Sequence, residues 1–498
     1  MNKESITLTL LNTMRIATAL SLFPLAAAVF DSSKTRLLSK NKPASNPSLP
    51  PFQSSSSSDD PAQATAIDWG SSWDGPTQHS GFLNFIGSRD SDGRDAPEIN
   101  TFFWYLPALN EDPSAPLLVW LQGGPGGSSL YGMFEEIGPM GIDANMTIYP
   151  RDPMFNWNQK YSLIFLDNPC GVGFSFSADE SCYVTDEVQV GSDLRLAMLE
   201  FYNMFPDQKP NDLYITGESY AGKYVPAFSY TIFDANKNLT PDDSDYINLK
   251  GLSIGDGAMS PPDQFTNFGD LLFYTGSIDS KEKAVFDDYD AKIQASLTSG
   301  DNVGAFEHFD EMLNGDFYPY PTYYTNVTGL TNYFNFEQGD CGSCLPEYYD
   351  DWLDLEETRA KIHVGDLEYS SFNETVEVYL KEDWMRGVVD MLVPLMESDD
   401  IKVLVYSGQN DIILGAPLTE QFLESLDWDG ADDYASTQKE VWRVDSYSEQ
   451  GQNDPVAGYR KTVSKYGFTY AVVRGAGHMV PGDQPERSYD LITTFVDA

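Results

Sequence analysis

Residues 212–222 read Asp-Leu-Tyr-Ile-Thr-Gly-Glu-Ser-Tyr-Ala-Gly, a β-rich run that breaks at Gly217, presents one hydroxyl on Ser219 and restarts as a helix-like segment. A sharp strand-to-helix turn of this kind needs small neighbours and lifts the serine to the top of a sheet, where an imidazole can reach it. In the G-x-S-x-G pattern the last small residue here is Ala221, with Gly222 one place later. A motif this short also occurs around buried structural serines, so its partners must decide the chemistry.

A serine nucleophile needs a base and an acid that orients the base, and on this architecture they follow in the order Ser, Asp, His. The chain has 4 histidines. His79 precedes the serine, and His308 and His363 lie in sequence that reads as structural. His478 stands apart, because a β-rich run ends at Arg474 and Gly475-Ala476-Gly477 brings the backbone tightly to it. Asp411 follows a run ending at Tyr406 through the turn Ser407-Gly408-Gln409-Asn410, which puts a carboxylate at the same edge of the sheet. An oxyanion hole needs two preorganised N–H donors, one of them on the residue after the nucleophile, here Tyr220. For the other, Gln122-Gly123-Gly124-Pro125-Gly126-Gly127 directly follows a strand-like run, and its glycines let backbone approach a substrate. It is not a phosphate loop: the required lysine is missing and Pro125 removes a donor.

The elements that must position these groups are short apolar runs at 116–121, 163–166, 213–216, 249–254, 402–406 and 468–474. Between two of them Leu194, Ala197, Met198, Phe201 and Phe205 recur at helical spacing, which predicts a packing helix. Strands alternating with helices predict a mainly parallel sheet covered on both faces. A hairpin, 80–86 with 100–106, opens the domain. From 261 to 393 the strand rhythm fades into helix-like segments and an aromatic stretch at 317–336, read as a cap insertion whose aromatics mainly pack within it.

The charge balance of the 498 residues is extreme, 76 Asp and Glu against 30 Lys and Arg, for a net charge of -46. Such a surface repels nucleic acid and anionic membranes, so neither is expected as a partner. Arg15 precedes an apolar stretch at 16–30 in which Ala26 and Ala28 have signal-peptidase spacing, predicting a signal peptide over 1–28. A Ser/Pro/Asn-rich segment, 29–66, reads as a disordered linker or propeptide, and 67–498 as the folded domain. The chain is thereby expected in the secretory route, secreted or in a lysosomal or vacuolar lumen. The sequons at Asn145, Asn238, Asn326 and Asn373 become glycosylation candidates there. Four cysteines, Cys170, Cys182, Cys341 and Cys344, allow three pairings, and a lone C-x-x-C without a second ligand pair predicts no metal. No cofactor is expected, and dimerisation is left open.

Taken together, residues 123–129, 167–176, 217–222, 408–411 and 477–481 resemble the serine carboxypeptidase family and run in its order. Gln122, Val225-Pro226 and residues 406–409 are most similar to its vitellogenic-like branch. The resemblance implies an α/β-hydrolase fold with a helical cap and removal of C-terminal residues from peptides. It implies Ser219 as nucleophile, His478 as general base, Asp411 as its orienter, and the N–H groups of Gly124 and Tyr220 as the oxyanion hole. It implies that Gln122, Gly123, Glu136 and Glu218 hold the substrate's terminal carboxylate. Two neighbouring carboxyls cannot both ionise cheaply, so one keeps a proton and donates it to the substrate, which favours acidic pH. The chain departs from the family in carrying Gln122 where Asn is frequent and Gly127 where many members have cysteine. Acyl transfer to an alcohol, hydroxynitrile lysis on the same scaffold, and a non-catalytic binding role are the competing readings.

Overall fold

The computed structural model describes residues 61–87, 96–318, 321–339, 347–444 and 456–498. The expected signal peptide, nearly all of the linker, and Cys341 and Cys344 lie outside them. Strand β1 (His79–Ile86) and β2 (Glu98–Leu106) form the expected antiparallel hairpin, followed by β3 (Leu117–Leu121), a small hairpin of β4 (Met140–Ile142) and β5 (Ile148–Pro150), and β6 (Ser162–Leu166). Next come β7 (Leu213–Glu218), β8 (Leu249–Gly255), β9 (Lys402–Gly408), β10 (Glu440–Arg443), β11 (Val456–Val463) and β12 (Phe468–Val473). One ten-stranded sheet runs in the order β1-β2-β6-β3-β7-β8-β9-β12-β11-β10. Its six central strands, β6 to β12, are parallel, and both margins are antiparallel. The antiparallel margin of β10 and β11 was not foreseen.

Side chains alternate faces along a strand, and the two cores follow from that alternation. Leu117, Val119 and Leu121 of β3 face one core with Leu194, Met198 and Phe201 of helix Glu187–Met204 and Val225 and Phe228 of helix Ala221–Asn236. Leu118 and Trp120 face the other, with Leu491, Ile492 and Phe495 of helix Pro485–Asp497. The parallel strands are therefore apolar throughout, β3 and β6 being buried at every position.

Between β8 and β9 the described residues form helices and loops without a strand, including Ser280–Ser299, Asn302–Phe309 and Glu374–Trp384. This insertion serves both cores: Phe286, Ile293 and Phe309 join the first, whereas Trp352, Leu353 and Ile362 join the second. At the other end, ordered structure begins before residue 67. Helix Pro61–Ala64 is followed by the fully buried Thr65, whose carbonyl accepts from Ser80 N–H at 3.0 Å. Polar composition hid this segment, because it is held by backbone pairing along β1. The Cys170–Cys182 disulfide closes the loop after β6. Among the described residues no helix is long and apolar enough to cross a membrane.

At the C-terminal edge the loop tips meet in close backbone contact. A Cβ on Gly408, at the end of β9, would lie 1.9 Å from the Gly477 carbonyl oxygen. Gly408→Ala is expected to force these two loops apart and to destabilise the fold by about 1–3 kcal/mol. Denaturant unfolding of the purified variant measures it, and unchanged stability would contradict the close approach.

Candidate active site

β7, β9 and β12 deliver the three predicted groups to one edge of the sheet. Ser219 follows the last residue of β7 with φ +64°, and Tyr220 leads into helix Ala221–Asn236. A non-glycine residue in this region stores about 1–3 kcal/mol of strain, so its surroundings must hold it. Ser219 N–H donates to Gly255 O at 3.0 Å, and its carbonyl accepts from Gly222 and Ala258 N–H at 2.9 and 3.0 Å. The Gly-rich loop presses against this turn. A Cβ on Gly123 would stand 2.4 Å from Tyr220 N and 2.7 Å from Ser219 Cβ, so only glycine permits the contact.

Asp411 and His478 are fully buried, and Nδ1 of the imidazole is bonded to Asp411 Oδ2 at 2.8 Å. Burial is the largest single influence and works against the imidazolium, but Asp411, Glu218 and Asp483 together outweigh it and hold His478 above its usual value. His478 Nε2 is buried with no hydrogen-bond partner among the described residues. It makes no hydrogen bond to the Ser219 hydroxyl; such bonds commonly tighten only in the substrate complex. His308 and His363 stay outside the cluster: His308 closes helix Asn302–Phe309, and His363 Nδ1 is 3.0 Å from Ser80 O.

Among the described residues, the N–H groups of Gly124 and Tyr220 donate to no protein acceptor, so both remain available. The inserted segment clamps the loop carrying Gly124. Asn373 N–H donates to Gly126 O at 3.0 Å and Ser128 N–H to Ser371 O at 2.9 Å. On the other side Ser128 Oγ donates to Asp167 Oδ1 at 2.6 Å. Residues 333–336 of the aromatic stretch lie between the other two loops. Ile412 N–H donates to Tyr333 O, Phe336 N–H to Asn410 O and His478 N–H to Phe334 O, at 3.1, 3.1 and 2.7 Å. The Phe334 ring lies over the imidazole with centroids 5.0 Å apart, so this aromatic borders the site as well as packing.

The residues expected to read a carboxylate also converge. Glu136, in a wide helical turn Gly132–Glu136, and Glu218 have no exposed surface. Gln122 Nε2 donates to Glu218 Oε1 at 2.8 Å, and Trp120 Nε1 holds Gln122 Oε1 at 3.0 Å. Burial, followed by the Glu218 charge, pushes Glu136 well above the carboxylate range. Burial also raises Glu218, although His478 opposes it. Glu218 acts on Glu136 through its charge and by hydrogen bonding, and two neighbouring buried carboxyls cannot both ionise cheaply, so one retains a proton.

Two polar groups went unnoticed in the sequence. Lys223, fully buried one turn into the elbow helix, is bonded to the Asp383 carboxylate at 2.5 Å and to Tyr220 Oη at 3.3 Å. It ties the elbow to helix Glu374–Trp384. The other is Asp256, directly after β8 and beside Asp411. Its signal was a carboxylate placed immediately after a strand, between Gly255 and Gly257, at the same edge of the sheet as Asp411.

A mostly parallel sheet with a strained serine turn between β7 and a buried helix defines an α/β hydrolase. The serine carboxypeptidase family model matches residues 74–498, and the chain belongs to that family. It is 41% identical to the venom serine carboxypeptidase of Apis mellifera, covering 80% of this chain and 81% of that one. It is 40% identical to the probable serine carboxypeptidase CPVL of Homo sapiens, covering 80% of each chain, and 38% identical to the vitellogenic carboxypeptidase of Aedes aegypti, covering 84% and 83%. In fold it matches a prohormone-processing carboxypeptidase of Saccharomyces cerevisiae, with TM-score 0.68 and 22% identity, over 88% of this chain and 96% of that one. The expected fold, family and serine carboxypeptidase activity therefore hold.

Several buried acids set the pH response of the folded chain. Burial raises Asp167 to about 6 and Glu187 to about 8, and Glu136, Glu218 and Asp256 also rise. Each folded value exceeds the unfolded one, so between the two the folded chain binds a proton that the unfolded chain has released. Their stabilising contribution is complete below about pH 4 and is lost as pH climbs through the folded values. Thermal melting between pH 4.5 and 8 is expected to give a falling Tm; a rise across that window would contradict the assignment.

Proposed function

We propose that Ser219 attacks the last peptide bond of a substrate while His478 takes its proton through Nε2, with Asp411 holding the ring from Nδ1. The N–H groups of Gly124 and Tyr220 receive the oxyanion. His478 then protonates the leaving C-terminal amino acid, and water releases the acyl group from Ser219 by the reverse transfers. What carries the exopeptidase reading is the buried Glu136–Glu218 pair, with Glu218 adjacent in sequence to the nucleophile and hydrogen-bonded to Gln122. A shared proton lets the pair donate to a terminal carboxylate, which two carboxylate anions would repel. Gln122 and the Gly123 backbone complete that subsite.

The pH dependence has two opposed limbs. Peptide acids bind while the glutamate pair keeps its proton, so activity is lost on the alkaline side; protonation of His478 removes the base on the acid side. With peptide acids and the matching C-terminal amides as substrates, the acids are expected to be cleaved preferentially below neutrality. Equal cleavage of both, or an optimum above pH 8, would overturn the carboxylate reading. Ser219→Ala is expected to lower kcat by at least about 10³-fold with the melting profile kept, and retained hydrolysis in the pure variant would remove Ser219 from the mechanism.

We also place the chain in the lumen of the secretory route, secreted or in a lysosome-like compartment, which suits a disulfide and acids that keep their protons at low pH. Asn145, Asn238 and Asn326 are exposed. Asn373 differs: its Nδ2 donates to Gly171 O at 2.8 Å and its Oδ1 accepts from Thr375 N–H at 3.0 Å, both beside the glycine loop. A glycan on that nitrogen would displace the contact. Peptide mass spectrometry of the secreted protein is expected to find glycans at the first three sites and an unmodified Asn373; full occupancy at Asn373 would contradict this geometry.

A further inference from the structure

Asp256 has no part in the reaction as described, yet it is placed against the group that orients the base. It follows β8 with φ +39°, is fully buried, and donates its backbone N–H to Tyr406 O at 2.8 Å. Its Oδ1 accepts from Gly408 N–H at 2.7 Å. Its Oδ2 is buried with no partner that could donate to it among the described residues. Carboxylate oxygens of Asp256 and Asp411 and a ring nitrogen of His478 lie within 4.8 Å of one another. The other titratable groups that act on Asp256 or feel it are Glu218 from β7, Tyr406 from β9 and Tyr470 from β12, none of them cationic.

Two buried carboxyls in contact cannot both be ionised without a cation between them, so one retains a proton. Asp411 is the better anion, since it pairs with His478 and accepts the Leu414 N–H at 3.3 Å, whereas Asp256 accepts a single backbone N–H. We propose that Asp256 is a positioning residue that stays neutral and donates a hydrogen bond from Oδ2 to Asp411, fixing the carboxylate that in turn holds His478. Burial and the neighbouring Asp411 charge raise its proton affinity, in accord with this role. No net proton transfer is involved: the proton remains on Asp256 while His478 accepts and returns the serine's proton. The inference rests on the Ser219–His478 reading above.

Substitution by an amide tests it, because Asp256→Asn keeps an acceptor for Gly408 and a donor for Asp411 without a titrating proton. Steady-state kinetics from pH 4 to 8 are expected to keep kcat within about threefold of the parent in Asp256→Asn, with the acid limb in place. Asp256→Ala is expected to lower kcat by about 10–100-fold at unchanged KM, as displacement of the base would. Were Asp256 ionised instead, the amide would remove a negative charge beside the His478–Asp411 pair and move the acid limb to lower pH; a shift of a full unit overturns the proposal. So does parental kcat in Asp256→Ala, or an Asp256→Asn that melts like the parent and is as slow as Asp256→Ala. His478→Ala in the same assay keeps the two levels apart: retained activity there refutes the mechanism itself, while its loss alongside a fully active Asp256→Ala refutes only the role of Asp256.

Discussion

The centre of this structure is a crowding of acids around one imidazole. Glu136, Glu218, Asp256 and Asp411 are all at most 1% exposed; Glu218 acts on Glu136 and Asp256, Asp411 on Asp256 and Glu218, and Glu218 and Asp411 on His478, at the C-terminal edge of the sheet. Four buried anions opposed only by His478 and, beside Glu136, by Arg151 would be prohibitively costly, since removing each charge from water is expensive and their mutual repulsion adds to it. The arrangement is tenable because the acids form two pairs, Glu136 with Glu218 and Asp256 with Asp411, each able to share one proton. Pairing also separates their work. In the proposed mechanism one pair reads the end of a substrate, and the other holds the base.

That division depends on backbone placed to within a fraction of an ångström. Gly123 and Gly408 sit where any Cβ would collide with Tyr220 N and Gly477 O, so the glycine loop leans directly on the elbow and the Asp411 loop on the His478 loop. Ser219 is held in its unfavourable conformation by three backbone hydrogen bonds, one donated to the Gly255 carbonyl at the end of β8 and two accepted from Gly222 of the elbow helix and Ala258 of the turn after β8. The strain is thus opposed by the same close packing that brings the catalytic groups together.

How much of this was legible in the sequence follows from the range of each interaction. Ser219, Asp411 and His478 each follow a strand through glycines, a local pattern, and the parallel strands that carry them are continuous apolar runs. Glu136 carries no such mark: it lies in an irregular turn and meets Glu218 only through the fold, so its role was visible through resemblance alone. Asp256 also follows a strand at this edge, in Gly255-Asp256-Gly257, but acids are abundant in the chain and only the fold brings this one beside Asp411. Lys223 carries no mark in the sequence, and only the tertiary structure shows it enclosed with Asp383. The β10–β11 margin escaped because β10 exposes all but Trp442, leaving no apolar run to detect.

The segment between β8 and β9 is more than a cover over the sheet. Residues 371–373 hold the glycine loop, residues 333–336 separate and bond the Asp411 and His478 loops, and Asp383 holds Lys223 beneath the elbow. Each catalytic element therefore has a partner in the insertion, which also contributes to both cores of the sheet. Breaking a buried ion pair such as Lys223–Asp383 leaves an uncompensated charge, at a cost of about 3–5 kcal/mol. The insertion and the sheet are accordingly one energetic unit at the site: residues 333–336, 371–373 and Asp383 cannot move without moving the loops that carry Ser219, Asp411 and His478.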